Sequence, residues 1–359
     1  MAPSLKRASG FSLIEIMVAM LIGLIGTIII FQVFAISEAQ KRTTTGVSDA
    51  QQNGLLALFS IEREARMAGY GVSYEPTLGC NVLAHDSGNA AAIPPIPARD
   101  FTFTLSAVQI TDGAAGAPDS VTFVYGNSNL SVLPAKLTTS TVAGVTMNKV
   151  ENRFGYLLND LIIAGEPSKD CSLRQISAVP SGAGVEDQIE HVAGRYNKAG
   201  GLTVAYSAWD NTSLSGGRLY SLGQAPSVVT YRVSNNQLEM RNLVSQTAFT
   251  PVVEAIVQMQ AEYGKDSNGD GDVDTWDTTA PANPIEWGRV IAVRLAIVAR
   301  SQTPERPNQT TFLCDTTTSA PTWKGGTAIP VSADADWMCY RYRTFETTVP
   351  IRNHIWKPE

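Results

Sequence analysis

The chain has 359 residues, a formal net charge of −6 and 44% hydrophobic residues. This is enough chain for one large domain or two small domains with a buried core. The mild acidity argues against nucleic acid as a partner, because a phosphate backbone requires a basic surface. The histidines His85, His191 and His354 are far apart in the sequence and have no metal-ligand spacing.

The N-terminal segment combines a short basic leader with a long apolar run. Residues 1–10 include Lys6 and Arg7, and residues 11–36 contain Glu15 as their only charged residue. At about 1.5 Å per residue, a helix over 11–36 would be roughly 39 Å long and would exceed the ~30 Å hydrocarbon core of a bilayer. The basic leader places the N-terminus on the cytoplasmic side, so the rest of the chain would lie across the membrane.

Two ordinary interpretations leave this segment partly unexplained. A cleaved signal peptide could use Ala35-Ile36-Ser37 as its cleavage site, but the apolar run exceeds the usual length of about 7–15 residues. A plain membrane anchor fits the length but gives Glu15 no role. A carboxylate at the centre of a membrane helix costs about 2.5–3.5 kcal/mol, and a position near the helix start reduces that cost.

The stretch Gly10-Phe11-Ser12-Leu13-Ile14-Glu15 resembles the class III signal of type IV pilins, which consists of a basic leader, GFxxxE and an apolar helix. The resemblance implies that a prepilin peptidase cuts after Gly10 and methylates the new N-terminal Phe11. Glu15 would then be the fifth residue of the mature chain. Its carboxylate could pair with the terminal amine of a neighbouring subunit, which is how a buried charge is tolerated.

The helix is predicted to continue beyond the apolar run. No proline occurs between Pro3 and Pro76, and residues 37–70 are amphipathic. We expect one helix from about Phe11 to Ala68, roughly 85 Å long. Two glycines, Gly69 and Gly71, are expected to terminate it.

The second half of this helix is predicted to pack one face on a globular domain. Leu55, Leu58 and Phe59 form the predicted buried stripe. The solvated positions are predicted to be Glu62, Arg63 and Arg66, with Glu62 and Arg66 as an i,i+4 surface pair. Gly46 and Gly54 each weaken a helix by about 1 kcal/mol and are expected to mark bends or softened turns.

The remainder of the chain is predicted to be β-rich. FTFTLSAVQI at 101–110 and SVTFVYG at 120–126 have strand patterns, and SNN at 234–236 separates two strands of a hairpin. In 257–263, Val257, Met259, Ala261 and Tyr263 are expected on one face and Gln258, Gln260 and Glu262 on the other.

The C-terminal third contains two further predicted strands. Residues 289–300 are apolar on both faces apart from Arg294, which is typical of a central strand. Residues 340–353 predict a strand broken by Pro350. The Pro-, Thr- and Ala-rich segments 79–100 and 301–338 are predicted to be loops.

Four cysteines, Cys80, Cys171, Cys314 and Cys339, contain no CxxC pair. An even number of cysteines behind a membrane-targeting segment suggests disulfides in an oxidising compartment. Three connectivities are possible and the sequence does not decide among them. We favour Cys314–Cys339, which closes a Pro- and Thr-rich loop, and Cys80–Cys171 by elimination. Free buried thiols are the alternative.

The segment DSNGDGDVDTWD at 266–277 has the spacing of a calcium-binding loop. Calcium takes six to eight oxygen ligands. In the order of an EF-hand loop, Gly271 would lie at the sharp turn, and Asp277 would occupy position twelve, where glutamate is usual. The candidate ligands are Asp266, Asn268, Asp270, Asp272, Asp274 and Asp277. The alternative is a hydrophilic hairpin loop without metal. A calcium ion here would be structural, and we expect no other cofactor.

No catalytic motif occurs in the sequence. It contains no GxSxG, HExxH, P-loop lysine motif or GxGxxG that opens a helix. Trp276, Trp287 and Trp337 could form a binding surface, but scattered tryptophans more often contribute to packing. We therefore expect no enzyme activity and keep a membrane-anchored periplasmic enzyme as an alternative of another class.

Both ends of the chain resemble PilW-type minor pilins. The resemblance rests on EREARMAGY at 62–70, on residues 254–300 and on TTVPIRN at 347–353. It implies an α+β, pilin-like fold in which a long N-terminal α-helix packs on an antiparallel β-sheet domain. The expected segments are a leader (1–10), a transmembrane or filament-core half-helix (11–36), an amphipathic half-helix (37–70) and a β-rich head (71–359).

The same resemblance implies a role in the type IV pilus. A minor pilin would prime assembly and contribute to the tip complex, with consequences for adhesion or twitching motility. The implied partners are other minor pilins, the major pilin, a tip adhesin, the prepilin peptidase and the inner-membrane assembly platform. The chain would lie in the inner membrane with a periplasmic head, and at the pilus tip after assembly. A J-type minor pseudopilin of a type II secretion system is the nearest alternative.

Overall fold

The computed structural model of the chain describes residues 12–72, 75–93, 95–130, 133–201, 204–308, 310–331 and 335–355. One long helix precedes a β-rich head. The α-helices are α1 (Leu13–Met67), α2 (Pro284–Gly288) and α3 (Arg352–Ile355). This order of elements confirms the predicted fold class.

The strands are short in the middle of the chain and long towards its end. In chain order they are β1 (Asn81–Asp86), β2 (Arg99–Thr104), β3 (Val108–Thr111), β4 (Ser120–Tyr125), β5 (Ala135–Lys136), β6 (Met147–Lys149), β7 (Leu161–Gly165), β8 (Cys171–Gln175), β9 (Gln188–Glu190), β10 (Arg218–Gly223), β11 (Ser227–Ser234), β12 (Gln237–Asn242), β13 (Thr250–Glu254), β14 (Ile256–Lys265), β15 (Thr275–Asp277), β16 (Val290–Arg300), β17 (Thr322–Trp323), β18 (Thr327–Ala328) and β19 (Tyr342–Pro350).

Three main sheets form the head. Their strand orders are β2-β1-β8-β7-β10-β5, β13-β12-β11-β4-β3 and β15-β14-β16-β19, and two small pairs, β6-β9 and β17-β18, accompany them. Among the described strands, every pairing is antiparallel except that of β1 with β8. The antiparallel order matches short connections between sequential strands.

The second half of α1 shares one core with the four-stranded and five-stranded sheets. Ile61 of the helix packs in the same cluster as Phe123 and Tyr231 of the five-stranded sheet and Val293 and Leu295 of the four-stranded sheet. The six-stranded sheet has separate apolar clusters on its two faces. The chief contacts of α1 are with β19, β16, β13, β14 and β4.

Several predicted strands are confirmed. Strands β11 and β12 form the expected hairpin, and Asn235 and Asn236 at its turn have φ of 50° and 59°. Asparagine tolerates this left-handed conformation better than most residues, which explains the tight connection. Strand β16 lies between β14 and β19 and is therefore central, as expected, and β19 ends at Pro350.

Two strand predictions are corrected by the pairing. The segment 101–110 is divided between β2 of the six-stranded sheet and β3 of the five-stranded sheet, so it joins two layers instead of forming one strand. In β14 the register shifts between Ile256 and Gln258. Val257 accordingly packs with the cluster on the far side of the sheet, opposite the face of Met259, because a bulge places an extra residue on one side.

The predicted polar face of β14 is largely buried. Gln258 and Glu262 are 4% and 5% exposed, because part of the 301–338 segment folds over this face and forms β17 and β18. Gln258 Nε2 donates to the carbonyls of Gly116 and Pro330 at 2.7 and 3.0 Å. Glu262 accepts hydrogen bonds from Lys324 and Arg294. The part of segment 301–338 around β17 and β18 is therefore a covering layer and not a loop.

The charge of Glu262 is retained by its two cationic partners. Burial alone raises the pKa of this carboxyl, but the hydrogen bonds from Lys324 and Arg294 outweigh it, and the net pKa is lowered. Arg294 also stacks on Trp276 and Trp323, with its guanidinium carbon 4.5 and 5.7 Å from the ring centroids. This cluster ties the covering layer to the sheet.

Two disulfides cross-link the head. Cys80 is bonded to Cys171 and Cys314 to Cys339, which is the pairing favoured from the loop argument. The first joins the residue before β1 to β8 across a sequence separation of 91 residues. The second closes a 25-residue separation within the covering layer, where few strands provide other constraints.

Candidate functional site

The first half of α1 presents an apolar surface without any covering. The side chains from Leu13 to Ile36 are exposed except for half-buried Gly26, and this is the one described helix long and apolar enough to cross a membrane. Glu15 lies exposed in the first turn, where the helix dipole favours a carboxylate. No ion pair of Glu15 occurs within the described residues. The predicted processing residues Gly10 and Phe11 lie outside the described residues.

The buried face of the second half of α1 differs from the predicted one. Leu55 and Phe59 are 53% and 64% exposed, and Leu58 is only partly buried. The buried helix residues are instead mostly small: Gly46, Ala50, Gly54, Ala57, Ile61, Glu64 and Ala65. The prediction was wrong because it assigned the most hydrophobic stripe to the head, whereas close approach of the sheet selected the stripe with the smallest side chains.

Gly46 and Gly54 are contact points and not bends. A Cβ atom at Gly54 would lie 2.0 Å from Cε2 of Phe345, and one at Gly46 would lie 3.0 Å from Cβ of Ser301. Both glycines lie inside the continuous helix α1. Because glycine has no side chain, β19 and the residue after β16 can reach the helix backbone. The packing gained in this way offsets the low helix propensity of glycine.

A buried carboxylate near the C-terminal end of α1 connects the helix to the five-stranded sheet. Glu64 is 5% exposed, accepts a hydrogen bond from the Tyr125 hydroxyl and accepts another from Arg63 Nη2 at 2.8 Å. Burial, followed by the neighbouring Glu64, raises the pKa of Tyr125 to about 12, so the phenol stays a donor. The predicted surface pair of Glu62 and Arg66 is confirmed.

The C-terminal end of α1 is capped by the far end of the chain. The helix ends at Met67, and Gly69 and Gly71 adopt φ of 83° and 77°, as expected for a glycine stop. The side-chain amide of Asn353 donates to the carbonyl of Ala68 at 2.9 Å. This contact was not predicted, although Asn353 is part of TTVPIRN, a motif that carries the family resemblance.

The acidic loop 266–277 connects β14 and β15 and is stabilised by its own backbone. Asp266 accepts from the amides of Gly269 and Gly271 at 2.5 and 2.8 Å. Asp274 accepts from the amide and hydroxyl of Ser267 at 2.7 and 2.6 Å. The amides of Asp270 and Asp272 also donate to the side chains of Asn268 and Asp270, each two residues earlier, which are Asx turns. All these bonds form without an ion.

The candidate ligands of the acidic loop are not assembled in this conformation. Asp277, at position twelve, forms an ion pair with Lys265 with Oδ1 2.6 Å from Nζ. In the part of the chain that the structure describes, no group of three or more His, Cys, Asp or Glu residues is placed to hold a metal ion. The arrangement does not fit an EF-hand ligand set, and calcium binding by this loop stays a prediction.

Calorimetric titration of the full chain with calcium tests this prediction. If the loop binds calcium, the titration releases or absorbs heat that Asp270→Ala combined with Asp274→Ala abolishes, because two oxygen ligands are lost. Asp210→Ala is the matched control, since Asp210 caps another exposed turn through the amide of Thr212. A wild-type titration with no heat and no thermal shift would refute calcium binding.

The tryptophans do not form a common binding surface. Trp287 is buried in the core shared with α1 and meets Tyr263 edge-on at 6.0 Å between ring centroids. Trp337 packs against the cluster under the covering layer, and Trp276 stacks on Arg294. The packing interpretation of these residues is confirmed.

Two family models match the chain. Residues 227–353 match the type IV pilus-assembly protein W family, and residues 5–31 match the prokaryotic N-terminal methylation motif. Among solved structures, the chain is similar to a type IV-like pilin from Thermus thermophilus, with 11% identity, a TM-score of 0.21, and coverage of 55% of this chain and 85% of that chain. So loose a superposition supports no conclusion by itself. No curated protein sequence matches the chain.

The matched segments cover the apolar start of α1 and most strands of the sheets that pack on its second half. Residues 5–31 include Glu15 and the start of α1, and residues 227–353 include the four-stranded sheet, its covering layer and Asn353. Pilins are structural proteins that associate with the membrane and with other pilus components. The methylation signal, the PilW match over the C-terminal third, the long apolar helix and the antiparallel head together support a PilW-like type IV pilin.

Proposed function

We propose that this chain is a minor pilin that primes assembly of the type IV pilus and forms part of the complex at its tip. The observation that carries the proposal is the combination of the methylation signal at 5–31 with the PilW match over 227–353. The action is packing and not catalysis. The inner membrane holds the apolar half of α1 until assembly, and the assembly platform then moves it into a bundle of like helices.

The uncovered side chains of α1 support this sequence of events. Between Leu13 and Ile36 the apolar surface has no partner among the described residues. Each large apolar side chain left in water costs about 1.5–3 kcal/mol relative to burial, so this surface requires lipid or other helices around it. Transfer from lipid to a helical bundle keeps these side chains covered.

The shape of the head supports a position at the tip. The chief contacts of α1 are with the four-stranded and five-stranded sheets, and the six-stranded sheet forms a further layer with its own apolar clusters. Such an additional layer would crowd neighbouring subunits in a filament shaft. A tip complex with other minor pilins and an adhesin, above the major pilin, accommodates it.

Pull-down of the full chain from membranes tests the assignment. Co-purification with the minor pilins, the major pilin and the assembly platform of a type IV pilus is expected. Co-purification with the pseudopilins of a type II secretion system would instead assign the chain to the J-type alternative and refute the pilus role.

Mass spectrometry of the mature N-terminus tests the processing step. A prepilin peptidase is expected to cut after Gly10, so the mature chain should begin with N-methylphenylalanine at Phe11 and have Glu15 as its fifth residue. A Gly10→Leu variant should retain the leader, while Gly23→Ala, a change at an open helix position, should be processed normally. A mature chain that begins at Glu38 or retains Met1 would contradict the proposal.

A further inference from the structure

The head reaches the helix close to the end of its apolar half. Thr43 Oγ1 donates to Glu305 at 2.8 Å, and Pro304–Arg306 line a cleft with Glu38 and Arg42 of α1. At about 1.5 Å of rise per residue, Glu38 is only roughly 3 Å beyond Ile36, the last residue of the apolar run. When α1 spans a bilayer, residues 304–306 therefore lie close to the membrane surface.

This same segment carries two adjacent, exposed apolar side chains. Phe312 and Leu313 are 81% and 69% exposed. A tight turn presents them: the Phe312 amide donates to the Asn308 carbonyl at 2.8 Å, and the Asn308 amide donates to the Leu313 carbonyl at 2.9 Å. The next residue, Cys314, is held by its disulfide to Cys339. The apolar pair is thus a constrained projection and not a trailing end.

Basic side chains lie at the neighbouring cleft, which Arg42 and Arg306 line. Lys41 and Arg42 of α1 and Arg306 of the loop are exposed. The carboxylate of Glu305 is paired with Arg341 at 2.8 Å, so among the described residues Glu38 is the one unpaired carboxylate that lines the cleft. Asp315, which accepts from the neutral Asn308 amide group at 3.0 Å, and exposed Asp336 keep their negative charges further along the segment. At the cleft itself the charge is mainly positive and complements anionic lipid headgroups.

We propose that Arg306, Phe312 and Leu313 form an interfacial anchor that rests on the bilayer beside α1. Phe312 and Leu313 enter the boundary between headgroups and acyl chains, and Arg306 contacts anionic headgroups together with Lys41 and Arg42. The occupant is the membrane because the loop is continuous with the surface from which α1 emerges. An apolar pair next to basic residues is the combination that interfacial segments use.

The anchor adds to the proposed pilin role, since it concerns the state before assembly. A single spanning helix leaves the head free to rotate about the membrane normal and to tilt. A second contact with the bilayer, on one side of the helix, limits this rotation and tilt and so determines which face of the head is turned away from the membrane. Extraction into a filament would then require release of the loop from the lipid as well as movement of α1.

Quenching by brominated lipid tests the anchor in the full chain without any pilus machinery. The chain is reconstituted in nanodiscs of phosphatidylglycerol with brominated acyl chains, and tryptophan is introduced by Phe312→Trp, Phe31→Trp or Phe154→Trp. Fluorescence of the wild-type tryptophans is subtracted. Phe154 is a matched control because it is 77% exposed in a loop of the six-stranded-sheet layer. Phe31 reports the spanning helix.

Quenching at Phe312→Trp is expected to exceed that at Phe154→Trp by at least about twofold, with strong quenching at Phe31→Trp. Adding Arg306→Gln should lower the quenching at position 312 more than Lys169→Gln, a change at an exposed lysine elsewhere in the head. Strong quenching at 31 with equal quenching at 312 and 154 would overturn the anchor and leave the pilin role intact. Weak quenching at 31 would overturn both the span and the anchor.

A second copy of the chain is the competing occupant. Nanodiscs that hold one chain remove this occupant. Quenching at position 312 above that at position 154 in such discs supports the lipid contact. If quenching at 312 does not exceed that at 154 in one-chain discs, lipid does not reach the loop and the anchor is refuted.

Discussion

A chain with Glu15→Ala is expected to be processed normally and to be absent from filaments. In the proposed assembly, cleavage after Gly10 would leave a cationic amine at Phe11, and this amine would enter the apolar surroundings of a helical bundle. Glu15 is the only carboxylate in the apolar half of α1. Removal of one partner of a buried ion pair typically costs about 3–5 kcal/mol, because the other charge is left uncompensated. Such a loss corresponds to more than about a hundredfold in an equilibrium constant.

Immunoblots of sheared pili and of membranes measure this effect. The variant should accumulate in the membrane fraction with an N-methylated Phe11 and be undetectable in sheared pili. Glu38→Ala is the matched control, since Glu38 is an exposed carboxylate on the same helix just beyond the apolar run, and it should be incorporated as the wild type is. Wild-type amounts of Glu15→Ala in sheared pili would contradict the pairing of Glu15 with a neighbouring amine.

The substitution Gly54→Leu is expected to detach the head from the helix. Leucine has a better helix propensity than glycine by up to about 1 kcal/mol, so local propensity alone predicts a more stable helix. The packing of the head on the helix predicts a loss of stability instead, because a Cβ atom at position 54 would lie 2.0 Å from the Phe345 ring. Overpacking of a well-packed contact typically lowers stability by about 1–3 kcal/mol. A single Cβ atom at position 54 already overlaps the Phe345 ring, and leucine adds three further carbon atoms.

Urea unfolding of the head in detergent-solubilised full chain measures the cost. The midpoint should fall in Gly54→Leu and remain unchanged in Gly26→Leu, because Gly26 has no atom within 4 Å of the added Cβ. Phe345→Ala in the Gly54→Leu background should restore part of the loss, and the double-mutant cycle gives the coupling between the two positions. Equal midpoints for Gly54→Leu and Gly26→Leu would show that the ring moves aside and that the close approach is not required.

The elements with strong local signals were predictable from their residues. The hairpin at Asn235 and Asn236 and the glycine stop after Met67 depend on contacts within a few residues, and β16 is marked by its own continuous apolar run. Local backbone preferences and side-chain periodicity are sufficient for such elements. The middle of the head was not predictable in the same way, since its strands are short and their partners are distant in the chain, as for β1 with β8.

The exposed and buried faces of α1 were predictable in its first half only. The leader, Glu15 and the apolar run mark the first half of α1 because their spacing is itself the signal. The face of the second half was not predictable from hydrophobicity, since the head contacts Gly54 and Ala57 and leaves Leu55 and Phe59 in solvent. A helix that serves two partners has two apolar or small-residue stripes, and periodicity alone does not assign each stripe to its partner.

By itself, the sequence of this protein determined a membrane-length helix with one acid, a glycine end to that helix, and a β-rich head with a hairpin and a central strand. These features follow from composition, length and local spacing, which act through neighbouring residues. Only the tertiary structure decided which helix stripe meets the head, that Glu64 and Asn353 secure the helix, and that the part of segment 301–338 around β17 and β18 covers β14. Each of these depends on the approach of segments far apart in the chain, where side-chain size and hydrogen-bond geometry, and not hydrophobicity, select the partner.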